Sequence, residues 1–264
     1  MPYIDLHIHS SFSDGKKTSE EIISLCKQAD VRFASITDHD DMRSAGICNE
    51  SVRFINGIEL SAYYGDAEIH LLGYGYRADE PALIATMAAL RQERIARFQR
   101  MIAKAIRLKL IQDVDYSDYL VNEAVIGRVL MSELLIKTGC VRSVAEAFAR
   151  FLSEGKPLYE PVYTLDLFKA LELLKNAGCF VSLAHPQRIR KDELIRKLVD
   201  RGLDAIEAYY PFHDATITRY YLKLAEKYTI IATGGSDYHT GNYSCVYSCD
   251  QLNAAIERLF GSCI

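Results

Sequence analysis

The stretch Ile4-Asp5-Leu6-His7-Ile8-His9 decides how this chain is read. It is a short apolar run that ends in chemically active residues. In a strand, residues i and i+2 point to the same face, so both imidazoles of His7-Ile8-His9 can reach one metal ion. Six further runs of this kind follow at residues 33–37, 54–60, 69–74, 180–184, 205–209 and 229–233. Amphipathic helical patterns separate many of them, at 19–28, 165–176, 192–201, 215–228 and 251–260. In the second of these, Leu167, Leu171 and Leu174 recur near the helical period until Gly178 stops the pattern. Strands alternating with helices predict parallel β/α units, and seven strand candidates fit a barrel-like α/β architecture.

One segment breaks the alternation. Residues 80–161 show no convincing strand, only helical patterns around 83–110, 125–138 and 144–152, with Gly139 and Gly155 at their ends. The expectation is a barrel domain built from 1–79 and 162–264, interrupted by a helical cap subdomain at 80–161.

Composition narrows the function classes. The 264 residues are 49% hydrophobic and 25% charged, the make-up of an ordinary globular protein. No stretch of eighteen apolar residues exists, and no basic segment leads into an apolar one at the start, so neither a membrane span nor a secretory signal is expected. The seven cysteines are scattered without a CxxC pair, Cys245 and Cys249 lying closest, which fits free thiols in a cytoplasmic protein. A net charge of −4 speaks against bulk attraction to nucleic acid. No Walker loop or GxGxxG element is present.

The histidines carry the chemistry. Of the seven, His7, His9, His39, His70, His185, His213 and His239, six lie at or near the C-terminal end of a predicted strand. Carboxylates accompany them in Asp14-Gly15, Thr37-Asp38-His39-Asp40, Gly57-Ile58-Glu59 and Ser236-Asp237-Tyr238-His239. Asp14 also sits in a common turn dipeptide, and Asp38 and Asp40 read equally as partners that orient an imidazole. In a β/α barrel such strand ends converge on one face. Imidazoles with carboxylates and without cysteine suit Mn, Fe or Zn, and Glu59 can bridge two ions. Neighbouring cations with a shared hydroxide suit hydrolysis of a phosphate ester.

These motifs, His7-Ile8-His9, Thr37-Asp38-His39, Glu59, His185-Pro186 and Ser236-Asp237-Tyr238-His239, resemble those of the PHP (polymerase and histidinol phosphatase) family across nearly the whole chain. The resemblance implies a distorted seven-stranded β/α barrel and a trinuclear site. Its first ion would take His7, His9, Glu59 and Asp237; its second Glu59, His70 and His185; its third Asp14, His39 and His239. Leu90 to Arg97, Gly127-Arg128 and Gly155-Lys156-Pro157 are similar to the bacterial 3′,5′-nucleoside bisphosphate phosphatases, some relatives of which trim short RNA from the 5′ end. Relatives continue Gly-Arg with Pro-His, whereas Val129-Leu130 follows here.

The expected activity is therefore that of a metal-dependent hydrolase with two or three divalent ions. It would remove the 3′-phosphate of a nucleotide such as adenosine 3′,5′-bisphosphate by attack of a metal-bridging hydroxide, with Asp237 taking its proton. His213, the histidine left over from the ligand sets, would donate near the scissile phosphate. Arg94, Arg97, Arg128, Lys156 and His213 are the candidate substrate contacts, although most of the basic run from Arg91 to Lys109 reads as a solvated helix exterior. Histidinol phosphate, short RNA, and a metal-holding module serving a partner are the alternatives.

Overall fold

The computed structural model describes residues 2–112, 116, 126–161, 165–189, 191–243 and 247–261. Cys245 and the first residue of the pattern at 125–138 lie outside them. The chain divides into two compact units, Met1–Ala85 with Thr164–Ile264, and Thr86–Tyr163.

The first unit contains two open sheets. In one, β1 (Tyr3–Ile8) pairs in parallel with β2 (Val31–Ile36) and antiparallel with β9 (Tyr247–Ser248), while β3 (Arg53–Phe54) flanks β2. The other runs in the order β4 (Gly57–Tyr64), β5 (Ala67–Tyr74), β6 (Phe180–Leu183), β7 (Ala205–Tyr209) and β8 (Ile231–Gly234). Only β6, β7 and β8 are parallel; β4–β5 and β5–β6 are antiparallel ladders.

This corrects the expected seven-stranded barrel. The described residues form nine strands in two open sheets, with single bridges between them at Ile8–Tyr238 and His39–Glu59 and no ladder at either seam. Pairing stops there because the chain turns away. Asp40 and Asp237 sit in the left-handed region, with φ of 47° and 50°, one following the bridged His39 and the other preceding the bridged Tyr238. The antiparallel pair has an equally local cause. Tyr64-Gly65-Asp66-Ala67 leaves a two-residue loop with Gly65 at φ 61°, a hairpin turn rather than a crossover.

Helices pack on the sheets through locally determined ends. Thr18 accepts from the Glu21 N–H while the Glu21 carboxylate accepts from the Thr18 N–H, a capping box that starts α1 (Ser19–Gln28). Asp166 and Asp214 cap Leu167–Asn176 and Ala215–Tyr228 in the same spirit. Ile4, Leu6, Leu72, Tyr74 and Phe180 form the main buried cluster of this unit. With Ile4, Leu6 and Ile8 fully buried, β1 sends Asp5, His7 and the following His9 to its other face.

The second unit is helical among its described residues. The helix Pro81–Arg107 extends into it, followed by Arg128–Lys137, Val144–Ala147 and a π-turn at Phe148–Leu152. Phe98, Met101, Met131, Leu134 and Leu135 make its own core. No described helix is long and apolar enough to cross a membrane.

Gly235 lets the end of β8 approach β1: a Cβ there would fall on the backbone nitrogen and Cβ of His7. Gly235→Ala should cost about 1–3 kcal/mol through overpacking. Thermal unfolding should register this as a Tm lowered by several degrees, with bound metal lost in parallel; an unchanged Tm would contradict the close approach.

Candidate metal centre

The site grows from the polar face of β1. His7 and His9 are fully buried, and their Nε2 atoms lie 3.1 Å apart. Both face Glu59 Oε2, at 3.2 and 3.1 Å, and Asp237 Oδ1, at 3.4 and 3.2 Å. Ligands bound to one transition-metal ion at roughly 2.0–2.2 Å stand about 3.0–3.4 Å from each other. The four atoms match that spacing.

Two further groups adjoin the first. His39, Glu59 and His70 form one, and His9, Asp14, His39 and His239 form another; in each group the ligand atoms lie within 4.8 Å of one another. His70 Nδ1 stands 2.8 Å and His185 Nε2 2.9 Å from Glu59 Oε1, while His39 Nδ1 is 3.3 Å from Oε2. Asp14 meets His239 at 3.1 Å. All nine ligand candidates from the sequence thus gather around one locus, with His39 shared between groups and His9 added to the third.

Does this set fit metal? Glu59 is completely buried, yet its Oε2 has no hydrogen-bond partner. Five imidazoles surround its two oxygens. Burying an ionised carboxylate costs several kcal/mol unless opposite charge compensates it. A divalent ion supplies that charge, and the mixture of imidazole and carboxylate donors is one that such ions favour. The residues fit.

The proton affinities reflect the same crowding. Burial works against charge on His9, but the neighbouring Asp237 and Glu59 carboxylates prevail and raise its pKa to about 9. His70 rises to about 10, with Glu59 and Glu68 outweighing its burial. His39 goes the other way, pushed down to about 4 by burial and by the cationic His9 and His70 beside it. Asp237 is held far below the usual carboxylate range: burial opposes this, and His7 and His9 overcome it.

A second layer holds the ligands. Glu207 on β7 accepts from His7 Nδ1 at 3.0 Å and from the His185 backbone N–H at 2.7 Å. That bond fixes which nitrogen of His7 is turned to the metal position. The Tyr210 hydroxyl donates to Asp237 Oδ2 at 2.8 Å, leaving Oδ1 for ligation. Asp38 accepts from the Ser10 N–H and from the Ser10 and Ser13 hydroxyls, and so shapes the loop that carries Asp14. Asp40 accepts from the Ser61 N–H instead. His185 and Asp237 both have positive φ, 27° and 50°, a strain of roughly 1–3 kcal/mol each that aims ligands inward.

Other candidates stand apart. His213 does not line the cavity: its Nδ1–H donates to the Ala208 carbonyl, and its ring stacks on Tyr221 and meets Tyr210 edge-on. Burial lowers its pKa. Arg94, Arg97, Arg128 and Lys156 belong to the second unit. There Arg97 donates to the Glu160 carbonyl, Arg128 lies 5.5 Å over the Phe148 ring, and Lys156 is exposed.

Two residues escaped sequence reasoning: Glu207 and Arg188. Glu207 had a signal, a lone carboxylate inside the apolar run Ala205-Ile206-Glu207-Ala208, since a buried charge demands a partner. Arg188 sits 3.6 Å from Asp237 Oδ2 and lines a cavity of about 450 Å³ together with Asp14, His39, Glu59, His70 and His185.

No family model matches the chain. Over 253 residues it is 28% identical to the 3′,5′-nucleoside bisphosphate phosphatase of Chromobacterium violaceum, covering 90% of this chain and 88% of that protein. It is 27% identical to the phosphoribosyl 1,2-cyclic phosphate 1,2-diphosphodiesterase of Eggerthella lenta, covering 89% and 93%. A solved structure from Bifidobacterium adolescentis shares the fold, with a TM-score of 0.79, 24% identity and 98% of each chain covered. Ligand clusters and relatives give a metal-dependent hydrolase that resembles the PHP phosphoesterases. Within that class the chain is similar to the nucleoside bisphosphate phosphatases.

The raised imidazole pKa values set a pH dependence. Protonated His9 and His70 stabilise the metal-free protein fully below about pH 6.5, and this contribution is lost as pH rises through about 9 to 10. Metal must displace those protons, so its affinity should climb steadily between about pH 6 and pH 9. Calorimetric titration with Mn²⁺ measures this; an affinity flat over that range would refute the assignment. Glu59→Gln should abolish high-affinity binding, whereas His213→Gln should leave the metal content of purified protein unchanged.

Proposed function

We propose that the chain removes the 3′-phosphate from nucleoside 3′,5′-bisphosphates, releasing the nucleoside 5′-monophosphate and phosphate. The observation that carries this reading is the buried Glu59 carboxylate, bracketed by imidazoles at the floor of a cavity large enough for a nucleotide. The name of the Chromobacterium relative points to the same substrate class.

In this reading, His7, His9, Glu59 and Asp237 hold one ion, and Glu59 and His70 with His185 or His39 hold a second. Asp14, His39, His239 and His9 hold a third, and Mn, Fe or Zn suits all three. When bound, such ions acidify a coordinated water and neutralise charge on the phosphoryl oxygens. The chain's own residues do the rest. Glu207 locks His7, and Tyr210 presents Asp237 through Oδ1 alone. With its proton affinity so depressed, Asp237 serves better as a ligand than as a proton acceptor. Arg188 stands at the cavity wall beside it, where a guanidinium fork suits a phosphoryl group. His213 supports Tyr210 from behind.

The short-RNA reading depends on the basic helix Pro81–Arg107. Three of its cations are already engaged: Arg97 with the Glu160 carbonyl, Arg100 and Lys104 with the Glu160 carboxylate. That favours the small substrate.

A phosphate-release assay with Mn²⁺ tests the proposal directly. Adenosine 3′,5′-bisphosphate should turn over faster than histidinol phosphate, and faster than a short 5′-phosphorylated RNA. Either of the others leading would overturn the substrate assignment.

A further inference from the structure

The cavity wall continues outward from the ligand cluster. From Asp237 the Tyr210 hydroxyl leads to a ring that the Arg188 guanidinium covers at 5.4 Å. The Phe212 ring meets the same tyrosine at 5.6 Å. Among the described residues that line the cavity Arg188 is the only lysine or arginine, and its side chain is 56% exposed. Phe212 lines the cavity too, and at 72% it is the most exposed large apolar side chain among the described residues.

A single exposed phenylalanine is unremarkable on an ordinary surface. Here it projects at a polar, metal-binding cavity, directly after Pro211, whose ring restricts the backbone from which Phe212 extends. An aromatic face left in water gains free energy when a flat apolar partner covers it. A cation for phosphate and a bare aromatic face on one wall suit a ligand that carries both a phosphate and a planar ring.

We propose that Phe212 is the stacking face for a heteroaromatic base, with the base-bearing nucleoside's phosphate between Arg188 and the ligand cluster. The substrate class is then a phosphorylated nucleoside rather than a sugar or polyol phosphate. This rests on the phosphoesterase reading above and names the residue that selects within it. Stacking on every base alike, Phe212 confers a preference for having a base and little preference among bases.

The chain contains no tryptophan, so Phe212→Trp installs a unique fluorescent reporter at this position. With Mn²⁺ present, adenosine 5′-monophosphate should quench that emission over the same concentrations at which it inhibits phosphate release. Ribose 5-phosphate should inhibit without quenching. Phe212→Ala should raise KM for adenosine 3′,5′-bisphosphate about tenfold with kcat within about twofold, and Phe212→Tyr should restore it. Adenosine 5′-monophosphate that inhibits without quenching, or an unaltered KM in Phe212→Ala, overturns the stacking role. So does a Phe212→Trp enzyme that turns over the bisphosphate while this monophosphate neither inhibits nor quenches. A wild-type protein that releases phosphate from no ester sinks the underlying phosphoesterase reading instead.

Discussion

Glu59, completely buried, faces five imidazoles, and the rest of the first unit is arranged to make that burial bearable. A carboxylate in a dry interior is costly, and a single histidine would not repay it. The compensation comes from both sheets. His7 and His9 approach from β1, His39 from the end of β2, His70 from the strand paired with that of Glu59, and His185 from the end of β6. The site is thus the place where the two sheets meet, although no ladder joins them there.

Around that centre, buried polar groups are spent on orientation. Glu207 is completely buried, and both its oxygens are engaged, one on a ligand ring and one on the backbone of another ligand. Asp5 does similar service beneath His7, accepting from the backbone N–H groups of His7 and Ser236 and from the Tyr243 hydroxyl. Burial still raises its pKa to about 6 against those hydrogen bonds. Carboxylates so placed hold imidazoles within a narrow range of positions, which is what a metal site demands of its surroundings.

Much of the site was legible because its signals are local. His7-Ile8-His9 needs only the period of a strand, and Ser236-Asp237-Tyr238-His239 packs two ligands into one short run. The strands and most helices were legible for the same reason. Closure was not. Whether neighbouring strands run parallel, and whether their pairing continues around a ring, depends on contacts far apart in sequence. The pair Gly65-Asp66 between two apolar runs is the local signal of the antiparallel hairpin. Glu207 and Arg188 belong to no motif, and their meaning appears only when β7 and the turn after His185 stand beside β1 and Asp237.

The order of the ligands along the chain has a consequence for synthesis. His7 and His9 leave the ribosome more than two hundred residues before Asp237 and His239. Asp5 and Ser236, which clasp each other under the site, are 231 positions apart. Contacts of such separation form late and slowly, because a long loop must close before they repay its entropy. A growing chain therefore carries exposed imidazoles and acids that can capture stray ions in incomplete sets. Correct loading must wait until the segment that carries Asp237 and His239 has docked, so that metal seals a fold already assembled rather than seeding it.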